Sequence, residues 1–297
     1  MKKFIWASVL AATFAIAGCG AASASNPDTA AKPEKNAGHG LAIVSREEGS
    51  GTRSAFEELV GINEEAPLAS DALIRDGNGT VATFIKTNPE AVGYVSFTTI
   101  QEHEHLRALK IDGVEPTIEN VLNGTYSLSR PFVLVYDEKT ITNADEAFIA
   151  FLESEDGMRE LEAHGAIVDL KNAKPFDSSA FGNVEGELRL GGSTSTEHSV
   201  VAVAQTFTAL YPKVTFTYDG TGSGAGIKSA QDGTYSIGFS SRDVLESELN
   251  ETSRAETFCM DGIAVAVSDS NQINDLSRDR LRDLFTGHIK TWEDLQN

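Results

Sequence analysis

Residues 45–53 read Ser45-Arg46-Glu47-Glu48-Gly49-Ser50-Gly51-Thr52-Arg53. The apolar run Leu41-Ala42-Ile43-Val44 leads in, and the amphipathic segment Ala55-Phe56-Glu57-Glu58-Leu59-Val60 leads out. This predicts strand, glycine-broken turn, helix. Glycines without a Cβ let the backbone come close to a bound group. The first N–H groups of the new helix and the Ser50 and Thr52 hydroxyls then point at one spot, where the positive end of the helix dipole favours an anion. Arg46 adds a guanidinium fork that suits a tetrahedral oxyanion. The stretch is therefore expected to form half of an oxyanion site.

Outward from it, the chain has room for two domains in 297 residues, and its 40% hydrophobic and 23% charged content is that of a soluble globular protein. A net charge of −20 argues against nucleic acid or an anionic membrane surface as main partner. Local donors can still bind an anion. Residues 1–19 read as a targeting signal, with basic Lys2 and Lys3 and an apolar stretch too short to span a bilayer. It closes on Ile16-Ala17-Gly18-Cys19, which resembles a bacterial lipobox. Cleavage before Cys19 and transfer of diacylglycerol to its thiol would give two anchoring chains; a plain secretory leader is the alternative. Residues 20–40 form an aperiodic tether. With Cys19 lipidated, Cys259 has no disulfide partner and is expected to be a buried structural thiol.

Along the chain, Asp76-Gly77-Asn78-Gly79-Thr80 reads as a turn, and Val81, Phe84 and Ile85 as a helix ended by Asn88-Pro89. Residues 91–97 and 132–136 read as strands, residues 145–164 as one amphipathic helix, and residues 171–186 as a linker. Strand Leu188-Arg189-Leu190 then enters Gly191-Gly192-Ser193-Thr194-Ser195-Thr196. Strand Val214 to Tyr218 enters Gly220-Thr221-Gly222-Ser223-Gly224, and Ile237-Gly238-Phe239 enters Ser240-Ser241-Arg242. The recurring strand-turn-helix unit predicts an α/β protein with mainly parallel sheets, whose ligand lies at the C-terminal ends of strands.

Four turns thus place small hydroxyl or glycine residues at strand ends. One such turn is ordinary; four in one chain, one of them beside an arginine, point to an anion held by neutral dipoles. Nucleotide motifs do not fit. The P-loop needs Lys directly after its last Gly, and in Gly222-Ser223-Gly224-Ala225-Gly226-Ile227-Lys228-Ser229 an isoleucine intervenes.

Together these motifs resemble the phosphate-binding lipoproteins of high-affinity phosphate ABC importers. Supporting stretches are Asp261-Gly262-Ile263-Ala264-Val265, Phe285 to Trp292, Gly93-Tyr94-Val95-Ser96 and Tyr126-Ser127-Leu128-Ser129-Arg130-Pro131. The order differs from that family's. The Gly-Ser-Thr-Ser turn, usually first, stands here in residues 187–297, so the chain resembles a circular permutant in which residues 171–186 join the old termini. The resemblance implies an α/β type II periplasmic-binding-protein fold, two lobes and a hinge around a central cleft. One lobe is expected to be continuous, residues 98–262, and the other assembled from residues 41–97 and 263–297. It implies inorganic phosphate as ligand, held by Arg46, Ser50, Gly51, Thr52, Thr194, Ser195, Ser223 and Ser241, with Glu48 pairing with Arg46. Ser241 stands where some members carry a proton-accepting Asp, so the acceptor must be a hydroxyl, a carbonyl or Glu48, and selectivity against sulfate rests mainly on the likeness. Permease subunits of the importer and the membrane, through Cys19, are the other expected partners of a monomer on the extracytoplasmic face. A surface phosphate sensor or adhesion protein that kept the fold without transport is the alternative.

Other candidates carry less. His103-Glu104-His105 alternates in a charged loop and reads as a solvated edge, not a metal pair. Glu153, Glu155 and Asp156 read as an exposed acidic face, His198-Ser199 as no nucleophile–base pair, and Trp292 as packing. No cofactor, metal site or enzymatic residue set is expected.

Overall fold

The computed structural model describes residues 40–296. The leader, the tether up to residue 39, Cys19 and Asn297 lie outside the described residues.

Strand β1 (Ala42–Arg46) enters α1 (Gly51–Val60), β2 (Leu73–Arg75) enters α2 (Gly77–Thr87), and β3 (Ala91–Ser96) follows. The same βαβαβ triad recurs as β7 (Gly186–Gly192), α7 (Glu197–Leu210), β8 (Val214–Asp219), α8 (Ser223–Gln231) and β9 (Ile237–Ser240). Between them lie α3 (Phe97–Glu102), β4 (Leu106–Ala108), β5 (Lys110–Ile111), α4 (Ile118–Leu122), β6 (Ser129–Asp137), α5 (Asn143–Leu152) and α6 (Glu155–Ala163). After the second triad come β10 (Ser253–Ser268), β11 (Asp275–Leu276), α9 (Arg278–Phe285) and α10 (Trp292–Gln296).

The nine-stranded sheet runs β2-β1-β3-β10-β6-β9-β7-β8, with β4 also on β10. Both triads are parallel and have their first strand in the middle. The antiparallel strands β6 and β10 join them. Residues 253–262 of β10 pair with β6, and Ile263–Val267 pair with β3. One strand therefore serves both triads and changes partner between Gly262 and Ile263. Its run Ile263-Ala264-Val265-Ala266-Val267 is apolar because both of its faces are covered there.

Packing follows the triads. Phe132, Phe148, Phe151, Leu190, Phe207 and Phe239 centre the core around the second triad, whereas Phe56, Tyr94, Ile263 and Phe285 centre that of the first. Leu109, Ile111, Val121, Tyr126 and Leu128 join the first core. β4, which lies beyond the border expected at Thr98, pairs with the second part of β10. The turn expected at Asp76–Thr80 is instead the start of α2, with Asp76 as its N-cap residue. The single helix expected over residues 145–164 is two. Glu153 ends α5, and Ser154 restarts the chain by accepting the Gly157 N–H on its side chain. Cys259 is buried and unpaired among the described residues, as expected.

Glu153 departs from the exposed face expected of it. It is half-buried against Glu256 of β10, whose Oε1 accepts the Tyr136 hydroxyl at 2.7 Å. Burial first, then the Glu256 charge and a shared hydrogen bond, push the Glu153 carboxyl up to about 7. A carboxyl raised on folding contributes stability that is present below its unfolded value near 4.5 and lost as pH rises through about 7. Glu153→Gln should flatten the melting temperature between pH 5 and 8. At pH 8 it should gain on the order of 1 kcal/mol over the parent, the partial exposure of the site keeping the effect small. Thermal melts across that range check it.

Candidate functional site

β1 ends at Arg46, and the chain turns through Glu47-Glu48-Gly49-Ser50, closed by the Ser50 N–H on the Glu47 carbonyl at 3.3 Å. Gly49 supplies the positive φ of +83° that the third position of a type II turn requires. Glu47 is thereby folded back beside Arg46, and Glu48 is left exposed at the tip. The expected Arg46–Glu48 pair is thus replaced by Arg46–Glu47. Nε donates to Oε2 at 2.7 Å and Nη2 to Oε1 at 2.6 Å, a two-point fork. Burial works against the Glu47 carboxylate, but the Arg46 guanidinium and the Gly77 N–H outweigh it and hold the carboxyl below its usual range.

With its fork fixed on one side, Arg46 turns its other donors into the interior. Nη1 donates to Asn78 Oδ1 at 2.8 Å and Thr52 Oγ1 at 3.3 Å, and Nη2 to Thr194 Oγ1 at 3.1 Å. Thr52 Oγ1 lies 2.9 Å from Ser195 Oγ, which also accepts from Asn78 Nδ2 at 2.9 Å. Turns from both triads therefore meet.

A second arginine, missed as a site residue in the sequence, completes the set. Arg130 heads β6 at the position paired with Asp261 of β10, and both are buried, at 2% and 0% exposure. Nε and Nη2 donate to Asp261 Oδ2 at 3.0 and 2.7 Å; Nη2 reaches Ser195 Oγ at 3.0 Å and Nη1 reaches Ser241 Oγ at 3.2 Å. Ser96 donates to the same carboxylate. Burial raises the Asp261 carboxyl and lowers the Arg130 guanidinium, and their mutual attraction opposes both shifts. A charge at the head of the apolar run Pro131 to Tyr136, and an Asp just before another such run, were the available signals.

Ser223 and Ser241 close the remaining side, Oγ to Oγ at 3.3 Å, with the Ser241 N–H donating to Ser223 Oγ at 3.0 Å. Gly51 sits against them. A Cβ there would overlap Ser223 Oγ and come within 2.7 Å of Ser241 Oγ. Of the predicted residues, Arg46, Gly51, Thr52, Thr194, Ser195, Ser223 and Ser241 share this centre, while the Ser50 side chain caps α1 by accepting the Arg53 N–H. Two guanidiniums, several hydroxyls and the starts of α1 and α8 thus face one buried spot, which suits a small multivalent oxyanion. Gly51→Ala should push the α1 and α8 turns apart and weaken oxyanion affinity at least about tenfold, about 1.4 kcal/mol, by calorimetric titration.

The chain matches the PBP superfamily domain over residues 27–156 and 177–297. It is 33% identical over 302 residues to the phosphate-binding protein PstS 2 of Streptococcus agalactiae serotype V, across 99% of each chain. It is similar to the solved structure of a phosphate-binding protein of a phosphate ABC transporter from Streptococcus pneumoniae TIGR4. The TM-score is 0.69 at 30% identity, covering 86% of this chain and 99% of that one. The phosphate-binding protein PstS of Bacillus subtilis aligns over 134 residues only, 45% of this chain and 43% of its own.

Proposed function

The chain belongs to the PBP superfamily and, within it, to the phosphate-binding proteins of ABC importers, and from that premise we propose that it binds inorganic phosphate between its two triads and delivers it to an importer permease. The observation that carries this is the convergence of Arg46, Arg130 and the hydroxyls of Thr52, Thr194, Ser195, Ser223 and Ser241 on one buried spot. The two arginines supply the charge-assisted bonds. The N–H groups of Gly51 and Thr52, at the start of α1 where a helix leaves its own donors unpaired, add neutral ones. Glu47 and Asp261 hold the guanidiniums, and the donors now on Asn78 and the hydroxyls turn to the ligand.

Residues 41–128 with 263–296 form one lobe and residues 129–262 the other, hinged where the chain crosses near Ser129 and Gly262. The chain is a circular permutant of the usual order. In support, a whole-length likeness to one relative stands beside a half-length likeness to another, as expected when a collinear alignment can take only one of two exchanged blocks. The protein works as a non-enzymatic binder on the extracytoplasmic face, anchored by diacylglycerol on Cys19. Among the described residues no helix is long and apolar enough to cross a membrane.

Calorimetric titration of residues 38–297 with phosphate and then sulfate tests the ligand. One-to-one binding of phosphate is expected; absence of heat with phosphate would sink the proposal. Cys19→Ala should release the protein from cells into the medium.

A further inference from the structure

A cleft of about 800 Å³ opens beside the anion site, and its walls include Asn78, Glu102, Thr194 and His198. Glu102 ends α3, which packs on β3 and β10 of the first triad's side, whereas His198 stands in the first turn of α7, which packs on α5, α6 and β8. Glu102 Oε1 nevertheless meets His198 Nδ1. Behind this contact the His164 ring packs edge-on against the His198 ring, centroids 4.9 Å apart at 84°, and His164 Nε2 lies 3.3 Å from Glu160 Oε1. Gly165 beside it sits close against Gln101 and Thr98 of α3. The anion contacts do not use this cluster.

We infer that Glu102, His198 and His164 form a strap across the cleft that sets how long the protein stays closed on its ligand, separately from the residues that hold the anion. The anion-facing side chains Arg46, Thr52, Ser195, Ser223 and Ser241 are at most 3% exposed, so the ligand exchanges only when the two triads part. Any contact that joins the triads outside the anion shell and is broken on opening slows release without touching the ligand. Glu102–His198 is such a contact, and the His164 ring limits where the His198 ring can go. Glu197 and Asp219 add carboxylates near it: burial, then Asp219 and Glu102, raise the Glu197 carboxyl. A second negative charge at position 198 would therefore be repelled from several sides. The strap is partly exposed, His198 at 52% and Glu102 at 38%, so its effect is moderate.

The inference rests on the cleft being a phosphate site, and the test separates the two. In the full chain, Glu102→Lys and His198→Glu are made singly and together, and radiolabelled phosphate is chased with unlabelled phosphate. Each single variant should release phosphate about fivefold faster, and the charge swap should return the release rate to within about twofold of the parent. Melting temperatures of the free proteins should stay level. Unchanged release in the singles, or a swap no slower than the faster single, overturns the strap. If the parent binds no phosphate, the ligand assignment fails. Small-angle scattering then judges the strap alone. Free single variants more extended than parent and swap uphold it, and four equal radii of gyration overturn it.

Discussion

Arg130→Ala is expected to abolish measurable phosphate binding and to destabilise the free protein by about 3–5 kcal/mol. The two effects have one origin. Arg130 and Asp261 form a pair with both partners shielded from water, 2.7 Å apart. Truncating the arginine leaves a carboxylate in that interior with the Ser96 hydroxyl and the Phe97 backbone as its remaining hydrogen-bond donors. It also removes the donors that reach Ser195 and Ser241, so two walls of the anion site lose their common tie. Chemical denaturation of the free protein reads the first effect and calorimetric titration with phosphate reads the second. Arg130→Lys keeps the charge but not the planar fork, so it should recover much of the stability and little of the affinity. Equal affinity in parent and Arg130→Ala would refute the role given to this residue.

Arg46→Ala should separate the same two quantities. Its side chain is 1% exposed, but its partner Glu47 is 23% exposed and also accepts the Gly77 N–H, so the carboxylate left behind can rehydrate. Stability should fall by less than in Arg130→Ala. Affinity should fall steeply, because two charge-assisted hydrogen bonds to an oxyanion are worth about 1.5–3 kcal/mol each, or about 100- to 10,000-fold together. Titration calorimetry and denaturant melts on the two variants should therefore give a large affinity loss in both and a large stability loss in one. Glu48→Gln should change neither, since Glu48 lies exposed at the turn tip.

Much of this was legible in the chain because it depends on neighbours in sequence. The strand-glycine-helix turns announce themselves locally, since a hydroxyl or a glycine at a strand's end is needed whatever lies across the cleft. That is why the sequence singles out Arg46, Gly51, Thr52, Thr194, Ser195, Ser223 and Ser241. Residues 145–164 misled for the opposite reason. Their apolar spacing persists through Ser154, and only the capping bond to the Gly157 N–H shows that the helix restarts there.

The motifs, the α/β class and the oxyanion chemistry of the turns were thus determined by the sequence alone, through local propensity and the donors each turn must present. Tertiary structure decided the rest. Arg130 and Asp261 are 131 residues apart and become partners only because β6 and β10 pair in one register. Glu47 rather than Glu48 faces Arg46 because the turn at Gly49 folds one inward and leaves the other outside. Charge partners across strands depend on register, and register is set by the burial of whole faces rather than by any short stretch. Residues 45–53 accordingly announce oxyanion chemistry, while the second arginine, Arg130, comes from β6 in the middle of the sheet.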